Sequence, residues 1–282
     1  MMIIIGYIVV VVSVLGGFML SGGHIGVLVQ PGEYIIILGA VMGSFFASQT
    51  KYSWKLVLKS IKHIFGDPGM SKNRYLETLA LLYSLFVKMQ REGVISIEGD
   101  IERPESSSIF GKYPDIAKNH TLVAFVADTL RVYLTTGSAD DIDSLMKEDM
   151  DSMHEEELMP AHGITHMAES LPGMGIVAAV LGVVLTMGQI NEPPEVLGHH
   201  IGAALIGTFI GILFCYGFFG PMGAKLEVTA VETHFYYNTV KEAVSAAIRG
   251  STPIIAVEYG RRAIPHSFRP TFSEMEERLK SG

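Results

Sequence analysis

Three polar side chains, those of Thr186, Gln189 and Thr208, lie inside two long apolar runs of the sequence. Hydrocarbon offers hydroxyl and amide groups no hydrogen-bond partner, so these groups need protein or water beside them. A threonine hydroxyl can hydrogen-bond water or a carboxyl group, which suits the wall of a narrow ion path. The chemistry that these residue types favour is therefore hydrogen bonding along a polar track within a membrane.

The two runs are Leu171–Ile190 and Ile201–Gly220, and neither contains a charged residue. At a rise of about 1.5 Å per residue, each can cross the roughly 30 Å hydrocarbon core of a bilayer. Small residues recur in both runs, and in the second they stand at every fourth position: Ala203, Gly207, Gly211 and Cys215. This stripe predicts close packing of two helices, and the packed faces are candidate walls of the ion path.

Other motifs that could carry chemistry are weaker. Gly173–Ala178 fits the dinucleotide fingerprint G-x-G-x-x-A, but no strand precedes it and no ribose-binding acid follows it. His162 and His166 have the spacing of metal ligands on a helix, but a third ligand is missing. The single cysteine, Cys215, is expected to be a packing residue. The sequence thus predicts no catalytic residue, no metal, no cofactor and no enzyme activity.

Two more apolar runs, Met1–Leu20 and Glu33–Thr50, give four predicted spans. A hydrophobic content of 49% over 282 residues is also typical of a membrane protein. All 21 Lys and Arg residues follow residue 50, and none lies in the loops Ser21–Pro31 and Asn191–His200. The positive-inside rule therefore places both loops outside and both termini in the cytoplasm.

The predicted fold is all-α, with four transmembrane helices and a helical cytoplasmic domain inserted between spans two and three. The expected divisions are spans one and two at 1–50, the cytoplasmic domain at 51–170, spans three and four at 171–221, and a cytoplasmic helix and tail at 222–282. Apolar periodicity predicts helices over 73–92, 120–135 and 140–158, and Ser71 is the expected N-cap of the first of them.

The cytoplasmic segments carry two kinds of charge pattern. Lysines follow span two at helical spacing, at Lys51, Lys55, Lys59 and Lys62, and favour a helix against anionic membrane lipid that is broken at residues 66–69. Around Glu98, mixed charges usually mean a solvated surface, and the alternative is a docking surface for a charged partner. The net charge of −8 argues against nucleic-acid binding.

Several long stretches, in the same order, resemble the MotA family of bacterial flagellar stator subunits over nearly the whole chain. They are IIIGYIVVVVSVLGGFMLSGG, LALLYSLFVKMQREGVISIEGDIERP, SLPGMGIVAAVLGVV, GTFIGILFCYGF and PIIAVEYGRR. The resemblance implies an inner-membrane homopentamer that surrounds a dimer of MotB, a single-span, peptidoglycan-binding partner with an ion-binding aspartate. It also implies a proton channel whose cytoplasmic charges contact the switch-complex protein of the flagellar rotor.

The resemblance also implies roles for single residues at the rotor contact. Glu98 matches the acidic rotor-facing residue of the family, and the nearby Glu102 is assigned to the same interface. Gln90 stands where the family carries an arginine, and Arg91 is next to it. The basic contact can therefore be shifted by one position, about a quarter turn of helix.

Further matches imply an ion path and a coupling device. Pro172 and Pro221 match the proline pair that couples ion passage to movement, although prolines near helix ends can also be simple punctuation. Thr208 matches the threonine near the ion path, to which Thr186 is also assigned. Ala179 stands where sodium-driven relatives usually carry threonine, which favours protons as the driving ion.

Two other functions stay open at this stage. An energiser of the ExbB/TolQ type powers outer-membrane transport and has three spans. A self-contained four-span transporter would need an ionisable group of its own at membrane depth. Among the four predicted spans, the one carboxylate is that of Glu33, at the outer boundary of span two. We therefore expect a partner to supply the proton carrier.

Overall fold

The computed structural model describes residues 2–66 and 70–281, in which all regular structure is helical. The helices are α1 (Met2–Leu20), α2 (Ile25–Leu28), α3 (Pro31–Ser48), α4 (Lys51–Gly66), α5 (Lys72–Glu92), α6 (Glu98–Glu102), α7 (Ser108–Gly111), α8 (Pro114–Ala117), α9 (His120–Thr136), α10 (Ala139–Met187), α11 (Pro194–Phe214), α12 (Gly220–Ile248), α13 (Pro253–Ala263) and α14 (Phe272–Ser281). Short 3-10 turns occur at Val94–Ile97 and Pro104–Ser106, and a π-helical turn at Cys215–Phe219. The all-α prediction is confirmed, while the break predicted at 66–69 falls mostly outside the described residues.

Four helical segments are long and apolar enough to cross a membrane, which confirms the four-span prediction. They are Met2–Leu20, Ile25–Ser48, Ala139–Met187 and Pro194–Ile248, the last two including the polar helix that continues each span. In the isolated chain, no residue of α1 is buried. Such an apolar surface suits contact with lipid or with other membrane helices. The chain is therefore a multi-pass membrane protein.

The helix α10 differs from the sequence prediction, which separated a polar helix ending at Leu158 from a span beginning at Leu171. The structure instead has one continuous helix, with Pro160 and Pro172 inside it. A proline in a helix interior removes a backbone hydrogen bond and costs about 3 kcal/mol. Burial of the intervening apolar face offsets this cost, with Ala161, Ile164, Met167, Ala168 and Leu171 all buried.

Contacts divide the chain into two units, which we call the membrane unit (Met1–Pro68 with Glu156–Val228) and the polar unit (Gly69–Glu155 with Thr229–Gly282). In the membrane unit, Ile37, Val41 and Phe45 of α3 are buried in one apolar cluster with residues of α4, α10 and α11. The ring of Trp54 meets the rings of Phe45 and Phe46 at centroid distances of 5.4 and 4.6 Å. The ring contacts pack the second span against α4, and the apolar cluster joins it to the third and fourth spans.

In the polar unit, the centre of the core is α5, whose Leu79, Leu82 and Leu85 are fully buried. The predicted N-cap of this helix is confirmed, because the Ser71 side chain accepts a hydrogen bond from the Arg74 backbone N–H. At Gly260 of α13, an added Cβ would lie 2.9 Å from Leu79. The absence of a side chain there lets α13 lie directly on α5.

Candidate ion path and charged contact surface

The third and fourth spans touch through their backbones. A Cβ added to Gly175 of α10 would lie 2.8 Å from the carbonyl oxygen of Gly207, and one added to Gly211 of α11 would lie 2.6 Å from that of Leu171. Real Cβ atoms do not approach backbone atoms so closely, so only glycine fits at these positions. We call this contact between α10 and α11 the seam. The small-residue spacing predicted such packing, and the structure has it.

Two of the predicted ion-path residues lie at the seam. A Cβ on Gly175 would be 3.3 Å from Cα of Thr208, and a Cβ on Gly207 would be 3.3 Å from the backbone nitrogen of Ala179. Thr186 is separate from them, because it follows Ala179 by about 10 Å of helix rise. Its buried hydroxyl donates a 2.8 Å hydrogen bond to the Gly182 carbonyl oxygen of its own helix. Thr208 and Ala179 thus form one local site, and Thr186 lies farther along α10.

A residue that the sequence analysis placed only at the membrane boundary, Glu33, also reaches the seam. It lies in the first turn of α3, as predicted. Its Oε2 is 2.6 Å from the Cβ position of Gly207, and its Oε1 is 3.6 Å from that of Gly182. Oε2 is buried and has no hydrogen-bond partner among the described residues. The signal in the sequence was a lone carboxylate at the start of an apolar helix. Whether its side chain reaches the seam depends on how α3, α10 and α11 pack.

The predicted coupling prolines lie next to irregular or closely packed backbone. Pro172 directly follows Leu171, whose carbonyl oxygen contacts the Gly211 position at the seam. Pro221 is the second residue of α12 and follows the π-helical turn, in which the Gly220 N–H bonds the Cys215 carbonyl oxygen. Pro221 has no backbone N–H to donate. The wider π-helical turn before it accommodates the resulting change in the backbone hydrogen-bond pattern.

The predicted rotor-contact residues Gln90, Arg91 and Glu98 are all exposed. The helix α5 ends at Gly93, where φ is +88°, and a 3-10 turn then leads into α6. No ion pair within the described residues includes Arg91 or Glu98. Between them, Ile95 has 75% of its surface exposed. Arg91, Ile95 and Glu98 thus form an exposed surface that combines two charged side chains with an apolar one.

The position of this surface is fixed by a buried carboxylate, that of Asp100. Its Oδ2 accepts a 2.7 Å hydrogen bond from Lys88 Nζ of α5, and its Oδ1 accepts one of 2.5 Å from the Ser107 hydroxyl. These bonds tie the start of α6 to α5. The exposed Glu102 is different, because its Oε1 lies 2.6 Å from Nε of Arg131 in an internal ion pair.

Among the described residues, no group of three or more His, Cys, Asp or Glu side chains has the geometry of a metal site. His162 and His166 both lie on α10, in the part that belongs to the membrane unit. Cys215 is buried and free, in the π-helical turn. The polar residues that reach the seam are Glu33 and Thr208, whose carboxyl and hydroxyl groups can bind a proton and form hydrogen bonds.

Two family models match the chain. Residues 4–93 match the model of the motility protein A N-terminal region, and residues 117–237 match that of the MotA/TolQ/ExbB proton channel family. Motility protein A of Salmonella typhimurium and that of Escherichia coli are each 38% identical over 282 residues, which is 100% of this chain and 96% of the relative. Chemotaxis protein LafT of Vibrio parahaemolyticus is 32% identical over 98% of this chain and 97% of its own length.

Two solved structures have the same fold. A chain of C. jejuni MotAB matches with a TM-score of 0.79, covering 94% of this chain and 95% of its own. A chain of the flagellar MotAB stator complex from Bacillus subtilis matches with a TM-score of 0.75, covering 99% and 98%. Both are 21% identical to this chain. The arrangement of helices described above is therefore shared along nearly the whole chain.

Proposed function

Because the chain belongs to the motility protein A family of MotA/TolQ/ExbB-type proton channels, we propose that it is a stator subunit of the bacterial flagellar motor. Together with a MotB-type partner, it forms a proton channel and couples proton flow to torque. The observation that carries this proposal is the seam, where Thr208 and Ala179 lie beside backbone contacts too close for lipid to enter. It resides in the bacterial inner membrane with both termini in the cytoplasm.

The proton crosses beside this seam on a carboxylate that the partner supplies. Within Leu171–Met187 and Ile201–Phe219 the sequence has no Asp, Glu, His, Lys or Arg. A proton path through hydrocarbon needs a group that takes and releases the proton, so the main carrier must come from a second chain. The hydroxyl of Thr208 hydrogen-bonds that carboxyl or a water molecule, and Thr186 lines the outer part of the path.

Coupling follows from the change of charge at the carrier. Protonation removes a charge that costs several kcal/mol at membrane depth, which is enough to favour a different packing of the spans. Pro172 lies at the inner end of the seam and Pro221 beyond the π-helical turn, where each can localise a bend. A shift of the spans therefore moves the cytoplasmic continuations of α10 and α12.

The surface of Arg91, Ile95 and Glu98 contacts the rotor's switch-complex protein, with Gln90 beside it. Its unpaired charges and exposed isoleucine favour a partner of complementary charge with an apolar centre. Glu102 contributes less, because Arg131 already binds it. The bare apolar side chains of α1, such as Val12 at 63% exposure, are covered by lipid and by neighbouring copies in a homopentamer.

The test is proton flux in liposomes that contain the chain with or without its MotB-type partner, under an imposed proton gradient. We expect flux only when both chains are present, because the third and fourth spans contain no ionisable group that could carry the proton at membrane depth. An aspartate-to-asparagine change in the partner's span should abolish it. Flux from this chain alone would contradict the proposal and favour a self-contained transporter.

An energiser of the ExbB/TolQ type is the second candidate, since the channel family model covers both groups of proteins. Two observations favour the motor: the separate match of residues 4–93 to the motility protein A N-terminal model, and the fourth candidate span, Met2–Leu20. Expression in a non-motile strain that lacks its own stator subunit discriminates the two. Restored swimming supports the motor function, and restored outer-membrane transport in an energiser-deficient strain supports the alternative.

A further inference from the structure

We propose that Glu33 is a second proton-binding group of the channel, contributed by this chain at the outer mouth of the seam. Protons from the outer water bind its carboxylate before they reach the partner's carrier. This inference rests on the proposed channel function, and it adds a residue of this chain to a path whose main carrier belongs to the partner.

The seam is shaped around the Glu33 carboxyl group. Oε2 lies 2.6 Å from the Cβ position of Gly207, and Oε1 lies 3.6 Å from that of Gly182. The next neighbours are also small, since the Gly207 position contacts Ala178 and the Gly182 position contacts Ala204. A larger side chain at Gly207 would displace the carboxyl. Three helices thus leave room for one acidic group.

One oxygen of the Glu33 carboxyl lacks a compensating partner among the described residues. Oε2 is buried without a hydrogen bond, and no ion pair within the described residues includes Glu33. Burial of an ionised, unpaired carboxylate is far less favourable than burial of the neutral acid. This environment therefore favours the protonated form of the Glu33 carboxyl group. Release of the proton requires water or a charged group to approach Glu33.

Glu33 also lies between the loop assigned to the outer side and the ion-path residue Thr208. It lies in the first turn of α3, next to the loop that we assign to the outer side, and its side chain is only partly buried. Gly207, on which its carboxyl rests, directly precedes Thr208 in α11. A proton on the Glu33 carboxyl thus lies beside Gly207, the residue of α11 that directly precedes the ion-path threonine, Thr208. This placement suits a group that collects protons at the mouth.

The first experiment measures protonation directly and needs no partner. The purified chain is placed in lipid at neutral pH, and infrared spectra of wild type and Glu33→Gln are subtracted. We expect a carbonyl stretch of a protonated carboxylic acid in the wild type that is lost in the variant. The matched control is Glu195→Gln, an exposed glutamate in the first turn of α11, which should leave the band in place. An unchanged band in Glu33→Gln would overturn the inference.

The second experiment measures proton flux with the partner present. Glu33→Gln should lower flux several-fold, Glu33→Asp should retain more of it because a proton can still bind, and Glu195→Gln should match wild type. Wild-type flux together with equal flux in Glu33→Gln would contradict the inference and leave the channel function intact. No flux from the wild-type pair would instead contradict the channel function, and the infrared result would then decide on Glu33. A thermal unfolding curve checks that each variant folds.

Discussion

The Glu258 carboxylate accepts two hydrogen bonds from the guanidinium of Arg261, whose Nε and Nη2 each donate to it at 2.7 Å. Nε of Arg262 adds a third hydrogen bond of 2.8 Å. The same Arg261 donates through Nη1 to the Pro270 carbonyl oxygen at 2.9 Å, so the pair also fixes the chain between α13 and α14. Both side chains are largely buried, and such bidentate pairs contribute more than exposed ion pairs.

This pair predicts how the polar unit responds to acid. Hydrogen bonds from Arg261, and then from Arg262, lower the pKa of Glu258 below its ordinary 4.5. A carboxyl whose pKa is lower in the folded state adds stability above about pH 4.5, and this stability is lost as the pH falls through the lowered value. Glu258→Gln should cost about 1–2 kcal/mol at neutral pH and weaken the acid dependence. Hydrogen exchange of α13 in the full-length protein measures both effects.

The matched control for this change is Glu277→Gln, since Glu277 is exposed on α14. It should leave exchange of α13 unchanged. Equal protection of α13 in Glu258→Gln and wild type at neutral pH would show that the pair does not stabilise the unit.

A second prediction concerns the seam. Gly211→Ala puts a Cβ 2.6 Å from the Leu171 carbonyl oxygen and 3.0 Å from Cα of Gly175, and backbone atoms cannot move aside as a flexible side chain can. We expect a loss of about 1–3 kcal/mol in stability and a loss of proton flux with the partner. Gly202→Ala, on the same helix but with no atom within 4 Å of its Cβ position, should behave like wild type. Similar melting temperatures for both variants would contradict the close seam.

The sequence predicted the structure best for features that depend on a single helix. The helix predicted over 73–92 and its Ser71 cap match α5, because an apolar stripe and a capping hydroxyl are local signals. The sequence predicts one helix that ends at Leu158 and another that begins at Leu171, but α10 continues without a break and includes Pro160 and Pro172. Burial of the apolar face stabilises the continuous helix there despite the low helix propensity of proline. The propensity of a single residue does not include such tertiary contacts.

The contacts at the seam also could not be predicted from local sequence patterns alone. The stripe of Gly207 and Gly211 predicts a close contact, but it does not say which residues of α10 lie opposite. Glu33 lies more than 170 positions before either glycine, so its proximity depends on the packing register of α3, α10 and α11. The π-helical turn before Pro221 also has no periodic signature in so short a segment.

A third prediction concerns topology. If the asymmetry of lysine and arginine orients the chain, single cysteines at His24 or Glu195 should react with a membrane-impermeant thiol reagent in intact cells. A cysteine at the exposed Lys112 should react only after the membrane is opened. Cys215 is first replaced by serine in all variants, so that each contains one thiol. Labelling at Lys112 but not at His24 in intact cells would reverse the assigned orientation.

The last prediction concerns the exposed surface of Arg91, Ile95 and Glu98. Reversal of both charges, Arg91→Glu with Glu98→Lys, should strongly reduce swimming, because the complementary charges of the rotor would then meet like charges. A single neutralisation should have a smaller effect, since an exposed pair contributes less than about 1 kcal/mol. Ile95→Asp should also reduce swimming by removing the apolar centre, which has 75% of its surface exposed. Swimming speed and membrane abundance are measured together.

Two further strains make the interpretation specific. Glu277→Lys reverses an exposed charge on a different helix of the polar unit and should leave swimming unchanged. A rotor variant with reversed charges on its contact surface should restore part of the swimming of the double reversal, but not that of Ile95→Asp, because charge reversal cannot replace an apolar contact. Proton flux with the MotB-type partner should stay normal in all of these variants. Normal swimming of the double reversal at wild-type abundance would refute a rotor contact at this surface, since exposed charges that touch no partner can be reversed at little cost.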